Sequence, residues 1–483
     1  MSPLYAGVLL AIVVTLLTVS LSRLSKTKTK ADYLVAGRSL PAFVLVFTLL
    51  SSWIGSGSLL GGAENAYRHG FAALWQAGGG WLGLLLIYFI APRARKFAQF
   101  TIPDLLEARY NQTARILGVI AILFTYTAIA SYQLIGGGDI LHLIFPNFIS
   151  AKLGAYIIAA FVIVFTAIAG MASVAYMDVF IGILATVTLI VALPFTLHAA
   201  GGWANVIHSL PATHFQLLGD LRFAGGIPPS AMELFLPTML LMLGNQSMYQ
   251  KFFSAKSPRA ASQAVVGWVI GTVILETVIV ALAVFASAAF PTGEVHDRPR
   301  EVIAYTALHG LPTLLGALLM GAVFAKIIST ANNYLFSPAT NLINDVFLRY
   351  IDPKASNKRT LIISRLMVVL LGIWALYLAM HTDSVLKRSL WAYTIYSAAL
   401  TPVILAAFYW RRANSAGAVS AIAAGTFITV FWDTAIVKSH LPYALAQRDA
   451  IFPALLAALL CLVVVSLLTR PPTEAQLKPL GEA

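Results

Sequence analysis

The sequence predicts an all-α integral membrane protein of about 13 transmembrane helices, organised as two five-helix repeats (spans 2–6 and 7–11) with peripheral helices around them. Three observations carry that expectation. The 483 residues are 59% hydrophobic and only 11% charged, with a mean hydropathy of +0.82, whereas a soluble domain carries about 25% charged residues. The apolar residues fall into runs of roughly 20, the length a helix needs to cross a hydrocarbon core of about 30 Å. Two of these runs are interrupted by glycine and polar residues, and they lie five spans apart.

The spans fall near residues 4–22, 40–63, 71–91, 113–141, 153–170, 173–198, 230–252, 262–289, 311–345, 361–381, 386–409, 414–432 and 450–469. The first has no basic residues before it and a basic cluster after it, the reverse of a cleavable signal, so it reads as a retained span. The turn between the fifth and sixth spans is short, at Gly170, Met171 and Ala172. The expected division is an N-terminal peripheral helix and basic cytoplasmic loop (1–39), a first repeat (40–198) and an extracellular connection (199–229). A second repeat (230–409) follows, then two peripheral helices and a short cytoplasmic tail (410–483).

The net charge of +13 suggests nucleic acid at first sight. Its location argues otherwise, because the basic residues lie in short loops between apolar runs. With the N-terminus outside, 22 of the 32 Lys and Arg residues lie in inner loops and 9 in outer loops, the remaining one being Lys326. This bias predicts a plasma-membrane protein with an outside N-terminus and a cytoplasmic C-terminus. A single cysteine, Cys461, leaves no internal disulfide. The nine histidines are scattered without metal-ligand spacing, and no nucleophile–base set or P-loop is visible. An enzyme, an ATP-driven pump and a nucleic-acid binder are therefore not expected, and no cofactor is implied beyond either Na+ or H+ as a coupling ion. The partners expected are the lipid bilayer and a small-molecule substrate; the oligomeric state is not legible.

The first interruption reads SSWIGSGSLLGG (51–62) and the second GNQSMYQ (244–250). Unwound backbone at membrane depth is tolerated where it is buried in protein or lines a cavity. Paired interruptions in two halves of a chain point to a transporter site. Candidate substrate contacts are Ser52, Trp53 and Ser56 at the first break, and Trp75 and Gln76 on the third span. Asn245, Gln246, Tyr249 and Gln250 at the second break, with Trp391 and Tyr396 on the eleventh span, complete the set. Aromatic faces attract cations, quaternary ammonium above all, although a membrane tryptophan more often packs or sits in the interfacial belt. The polar residues at the second break have an alternative role in satisfying freed backbone groups.

Lys326 is flanked by LLGALLMGAVFA and IISTANNYLF. A charge at mid-membrane costs about 2.5–3.5 kcal/mol on insertion scales. Ser329, Thr330 and Asn333 share its helical face. Either Lys326 is a fixed cation in a transport core or it is a structural lysine paired with a carboxylate. Asp178 and Glu276 are the candidate partners or proton-coupling groups; Glu64 reads as interfacial.

The run DYLVAGRSLPAFVLVFTLLSSWIGSG (32–57), YMDVF around Asp178, YQKFFSAKS (249–257) and STANNYLFSPATNLINDVF (329–347) together resemble the sodium:solute symporter family over spans 2–11. The resemblance implies a LeuT-type core of two inverted five-helix repeats that works by alternating access. It also implies a sodium site among backbone oxygens at Ser51 and Ile54, the position of Lys326, and the hydroxyls of Ser329 and Thr330. That third position is normally small, and here it is lysine. A second sodium site in some members would use Asp178 with residues near Asn332 and Asn333. The segment SSWIGSGSLLGGAENAY is most similar to high-affinity choline transporters.

An ammonium and a sodium ion cannot share one small cage, since their repulsion would reach several kcal/mol at low effective dielectric. The expectation is a secondary transporter of a small polar organic solute, either a cationic amine or an amino acid. Lys326 replaces sodium, so that transport is sodium-independent or proton-coupled. The alternatives are an ordinary sodium-coupled symporter and a transporter-like membrane sensor. The sensor is disfavoured because no signalling domain follows residue 470.

Overall fold

The computed structural model describes residues 3–24, 29–97, 101–168, 171–223, 230–382 and 384–481. Helices α1 (Pro3–Leu24), α2 (Ala42–Trp53), α3 (Ala63–His69), α4 (Leu74–Ile87), α5 (Gln112–Ile144), α6 (Ala151–Ile168) and α7 (Met171–Ala199) form the first part of the chain. Helices α8 (Ala231–Gly244), α9 (Gln246–Ser254), α10 (Pro258–Ala289), α11 (Thr313–Asn341), α12 (Asn357–Met380), α13 (Val385–Ala399) and α14 (Thr401–Tyr409) form the second. Helices α15 (Ser415–Trp432) and α16 (Ile451–Leu460) follow. No strand occurs among the described residues. One isolated bridge joins Leu40 to Ala255, through Leu40 N–H to Ser254 O (3.0 Å) and Lys256 N–H to Leu40 O (3.0 Å). It ties the chain just before the first broken span to the chain just after the second.

Ten helical segments are long and apolar enough to cross a membrane, against the expected thirteen, among the described residues. Two of the three follow from the breaks, which cut the second span into α2 and α3 and the seventh into α8 and α9; the third is α1, an apolar helix of 22 residues whose described apolar part is Pro3–Val19. The helix predicted over 230–252 is thus two rods. The Gly170 position of the predicted turn lies outside the described residues, and Met171 and Ala172 already belong to α7.

Local chemistry sets the helix ends. Asn111 accepts from Ala114 N–H (2.9 Å), Ser257 from Ala260 N–H (3.1 Å) and Asn414 from Gly417 N–H (3.0 Å), satisfying donors that a first turn leaves open. Packing then sorts the spans. In the segment Val385–Tyr409, 89% of the apolar window is buried, and 83% in Thr313–Ile351. The figure falls to 28% in α12 and in Ile451–Leu468, and to 33% in α15. The first two spans are therefore enclosed by protein, and the others face lipid. On α12 the outward row includes Ile362, Leu366, Leu370, Ile373 and Tyr377, all exposed. An apolar stripe of that length belongs against hydrocarbon rather than water.

The centre of the molecule is where α2 packs against α7, α10 and α11. Close approach elsewhere depends on small residues. A Cβ built on Gly79 of α4 would lie 2.2 Å from the carbonyl oxygen of Phe235 on α8, so that helix pair is locked by the missing side chain.

The polar connection after α7 folds over the ends of α3 and α4. Trp75 Nε1 donates to Leu217 O (2.9 Å), and His69 meets Asp220 (2.9 Å). Nearby, Asp449 joins this end of α8 to the start of α16. Its backbone N–H donates to Glu233 (3.2 Å), and its carboxylate caps Ile451 N–H (2.9 Å). Burial, then the charges of Glu233 and Asp433, push the Asp449 carboxyl up to about 6 from 3.8, against the opposite pull of its Ile451 cap and of Lys438. A raised carboxyl stabilises the fold only while it can keep its proton, so its contribution is present below about pH 4 and is lost as pH rises through about 6. The thermal midpoint of Asp449→Asn, followed from pH 4 to 7 in detergent, should gain on that of the parent over this window. Parallel curves would show that Asp449 carries no such linkage.

Candidate functional site

The first break begins where α2 ends. Ile54 takes φ −82° and ψ 97°, leaving the helix, and Gly55 follows. A Cβ on Gly55 would lie 2.5 Å from Thr330 Oγ1, so only glycine lets the unwound strand approach α11 this closely. The chain then re-enters a wide π-helical turn at Gly57–Gly62. The backbone groups freed here find side-chain partners. Thr330 Oγ1 donates to Ser51 O (2.8 Å), and the Ser56 N–H donates to Gln133 Oε1 (2.8 Å). Buried backbone polar groups demand such partners.

Lys326 lies beneath this break, fully buried on α11. Its Nζ donates to Ser51 Oγ at 3.1 Å, and Thr330 Oγ1 also lies 2.9 Å from the Lys326 carbonyl. Asp178 of α7, equally buried, accepts from Thr48 Oγ1 (2.5 Å) and from the Ser329 hydroxyl. Its negative charge acts on Lys326 and on a second buried lysine, Lys251. The sequence-predicted residues Ser51, Ile54, Asp178, Lys326, Ser329 and Thr330 therefore converge on one point between α2, α7 and α11.

Lys251 is a correction. Counted above with the inner loops, it is fully buried on α9. Its Nζ donates to Asn333 Oδ1 (2.9 Å), Ser247 Oγ (3.1 Å) and Ser247 O (3.3 Å). Its neighbours in YQKFF gave one signal that was available: a lysine among buried aromatics at a helix break has no short route to water. Asn332, beside it, accepts from Thr166 Oγ1 (2.8 Å).

Glu276 does not join this group. Its carboxylate accepts from Trp53 Nε1 (2.8 Å), Trp81 Nε1 (2.8 Å) and, more loosely, Ser58 Oγ (3.5 Å). It borders a small cavity, about 30 Å³ of accessible volume, together with Trp53, Ser58, Gln76, Thr238 and Tyr393. The indole of Trp53 stacks on Tyr393, with centroids 6.0 Å apart and planes at 29°. Of the predicted substrate contacts, Trp53 and Gln76 reach this cavity. Tyr393 and Trp81 were missed; Tyr393 lies three residues before the predicted Tyr396, on the same helix.

The remaining predicted contacts are spent within the protein, apart from Ser56, whose buried hydroxyl finds no partner among the described residues. Asn245 caps α9 by accepting from Ser247 N–H (3.0 Å) and bonds Tyr126 and Tyr334. Tyr249 OH donates to Leu243 O (2.9 Å), and Gln246 N–H donates to Tyr396 OH (3.0 Å), so both tyrosines satisfy backbone freed by the second break. Gln246 bonds the Asn341 side chain, Ser337 Oγ (3.0 Å) and Ile102 N–H (3.1 Å). Gln250 bonds Leu34 O (3.0 Å) and Thr340 Oγ1 (3.1 Å). Ser52 Oγ returns to Thr48 O (2.8 Å). Trp75 packs on Phe223 and Phe235, and Trp391 lies under the Arg388 guanidinium at 5.4 Å; neither lines the cavity.

A second charged cluster had no sequence signature. Arg115 pairs with Asp104, Glu107 and Asp345, the last at 2.9 Å, and Thr101 Oγ1 donates to Asp345 (3.0 Å). It fastens the helix Ile102–Arg109 to the end of the Thr313–Ile351 span.

The arrangement is that of a secondary transporter: two broken helices, buried charges beside them and a small, partly open polar–aromatic cavity. The sequence pattern of the Sodium:solute symporter family matches residues 33–425, and the chain belongs to that family. It is 26% identical to the osmoregulated proline transporter of Bacillus subtilis (strain 168), over 94% of this chain and 93% of that protein. It is 25% identical to a sodium/proline symporter of Staphylococcus aureus, over 92% and 88% respectively. Among solved structures it is similar to a Na+-coupled sialic acid symporter in a substrate-bound outward-open state, with a TM-score of 0.80 and 16% identity. That match covers 98% of this chain and 99% of the other. MhsT in complex with L-phenylalanine matches with a TM-score of 0.55 and 14% identity, over 88% and 98%. The fold is thus of the LeuT type, and the relatives are symporters rather than enzymes.

Asp178, whose direct hydrogen bonds come from Thr48 and Ser329, is the buried carboxylate whose charge acts on both Lys326 and Lys251. Removing its charge leaves them uncompensated, which costs about 3–5 kcal/mol. Asp178→Asn should therefore lower the thermal midpoint severely. Asp178→Asn with Lys326→Met should recover part of that loss, with a coupling of about 0.5–3 kcal/mol. Additive effects would mean that the two side chains do not interact.

Proposed function

We propose that this symporter-family chain moves a small polar organic solute, a cationic amine or an amino acid, without sodium at the usual site. The family points to Na+ as the coupling ion. The observation against it is the Lys326 ammonium, 3.1 Å from Ser51 Oγ, in the place where the family resemblance puts the ion. The oxygens implied as sodium ligands are engaged: Ser51 O accepts from Thr330, and the Ser329 hydroxyl is donated to Asp178. A cation added to this set would meet a fixed positive charge within a few ångströms and little free coordination. Lys251, bonded to Asn333, stands in the same relation to the second ion site that some family members have. Transport is then facilitated, or coupled to a proton that Lys326 and Asp178 exchange. The retained pair Ser329–Thr330 is the feature that favours the second reading, ordinary sodium-coupled symport.

In this reading the units 40–198 and 230–409 rock against one another around the broken helices. The N-terminus lies outside and the C-terminus in the cytoplasm. A protease site placed after residue 481 should be cut only from the cytoplasmic face of sealed vesicles. Cleavage from the outer face reverses the orientation.

The coupling proposal is tested by uptake of choline, betaine and proline into proteoliposomes, with sodium replaced throughout by potassium. Uptake should persist unchanged in potassium, and an inward proton gradient should accelerate it if the proton is coupled. Lys326→Ala, which opens the cage, should make uptake sodium-dependent. Strict sodium dependence of the parent protein overturns the proposal.

A further inference from the structure

Glu276 is a buried carboxylate, 5% exposed, whose partners among the described residues are neutral. No ion pair to it is formed by the described residues, and none of the side chains lining its cavity is lysine, arginine or histidine. Buried carboxylates are ordinarily paired with a cation. A carboxylate has about four lone-pair positions. The two indole N–H groups and the distant Ser58 hydroxyl leave room for a further donor from the cavity side. On that side stand the faces of Trp53 and Tyr393, which attract cations through their ring quadrupoles. As it stands the cavity has about 30 Å³ of accessible volume, room for a water or two, so an amine entering it displaces that water and widens the space between Trp53, Tyr393 and Glu276.

The same surroundings disfavour an anionic group. A carboxylate on the ligand is held best by a basic side chain or free amide donors at a helix start; here it would meet neutral donors such as Gln76 and the opposing charge of Glu276. The cavity supplies no basic side chain. Amide groups at both breaks are already bound: Ser56 N–H by Gln133, Gln246 N–H by Tyr396, and Ser247 N–H by Asn245.

From these observations we propose that the ligand of this cavity is a monocationic amine without a carboxylate, its nitrogen seated against Glu276 and between the rings of Trp53 and Tyr393. This rests on the transport reading above and narrows its substrate class. It separates this chain from relatives named for proline, a zwitterion, and for sialic acid, an anion. Trp81 acts as a positioning residue, holding the second carboxylate oxygen so that the first faces the cavity.

The test compares three probes of similar shape on the full-length protein in proteoliposomes: choline (cation), betaine (the same head with a carboxylate) and 3,3-dimethylbutan-1-ol (the same head with carbon in place of nitrogen). Ethanolamine and proline extend the set to a smaller amine and a smaller zwitterion. Binding is read by thermal shift and uptake by flux. A monocation, choline or ethanolamine, should bind at least tenfold more tightly than betaine, proline or the alcohol. In Glu276→Gln the preference of choline over its carbon isostere should collapse to within about twofold. In Trp81→Phe, which removes one donor and keeps the charge, the preference should persist even if affinity drops. Equal binding of betaine or proline, or an unchanged preference in Glu276→Gln, overturns the inference. Uptake of proline without uptake of either amine also overturns it while leaving the transport reading intact. Failure of every probe to bind or cross overturns both.

Discussion

A charge fixed at membrane depth constrains everything around it. Lys326 is fully buried, and its ammonium needs oxygen partners and a counter-charge before the helix that carries it can sit in the molecule's centre. Ser51 at the end of α2 supplies the oxygen and Asp178 on α7 supplies the charge. These two requirements bring α2, α7 and α11 to one place. The break after Trp53 is held in the same way, because Thr330 takes the carbonyl that unwinding exposes. Charge neutralisation and backbone satisfaction are therefore a single arrangement here.

Seen this way, the two breaks do different work. At the second, Asn245, Tyr126, Tyr249 and Tyr396 bind the freed backbone groups with little left over. That break reads as a closed hinge between α8 and α9. At the first, the side chains of Trp53 and Ser58 remain turned to the cavity and to Glu276. The Glu276 cavity and the charged cluster thus both border the same unwound segment, Glu276 through Trp53 and Ser58 and Lys326 through Ser51. A change in protonation or position at Lys326 would act on the backbone that carries Trp53, which gives coupling a short physical route.

The apolar runs, the two breaks and the grouping of Lys326, Asp178, Ser329 and Thr330 were legible from sequence, because few residues can be polar at membrane depth without a reason. The partition of Asp178 and Glu276 was not. Both are carboxylates inside apolar spans, Asp178 near the start of its helix and Glu276 near the middle, and only packing decides which faces α11 and which faces the cavity. Lys251 was misplaced because a lysine near a span end ordinarily snorkels to the surface; here α9 is short and enclosed. The aromatic residues were hardest. Tyr249 and Tyr396 have the composition of a binding site yet serve backbone groups, while Tyr393, one turn earlier, reaches the cavity.

The most direct measurement of the central claim is the thermal midpoint of the detergent-solubilised protein in sodium chloride against potassium chloride at equal ionic strength. A ligand that binds only the folded state raises stability with concentration. With the Lys326 ammonium in the cation position, the two salts should give superimposable curves, and Lys326→Ala should acquire a rise specific to sodium. A saturable, sodium-specific rise in the parent protein would contradict the claim.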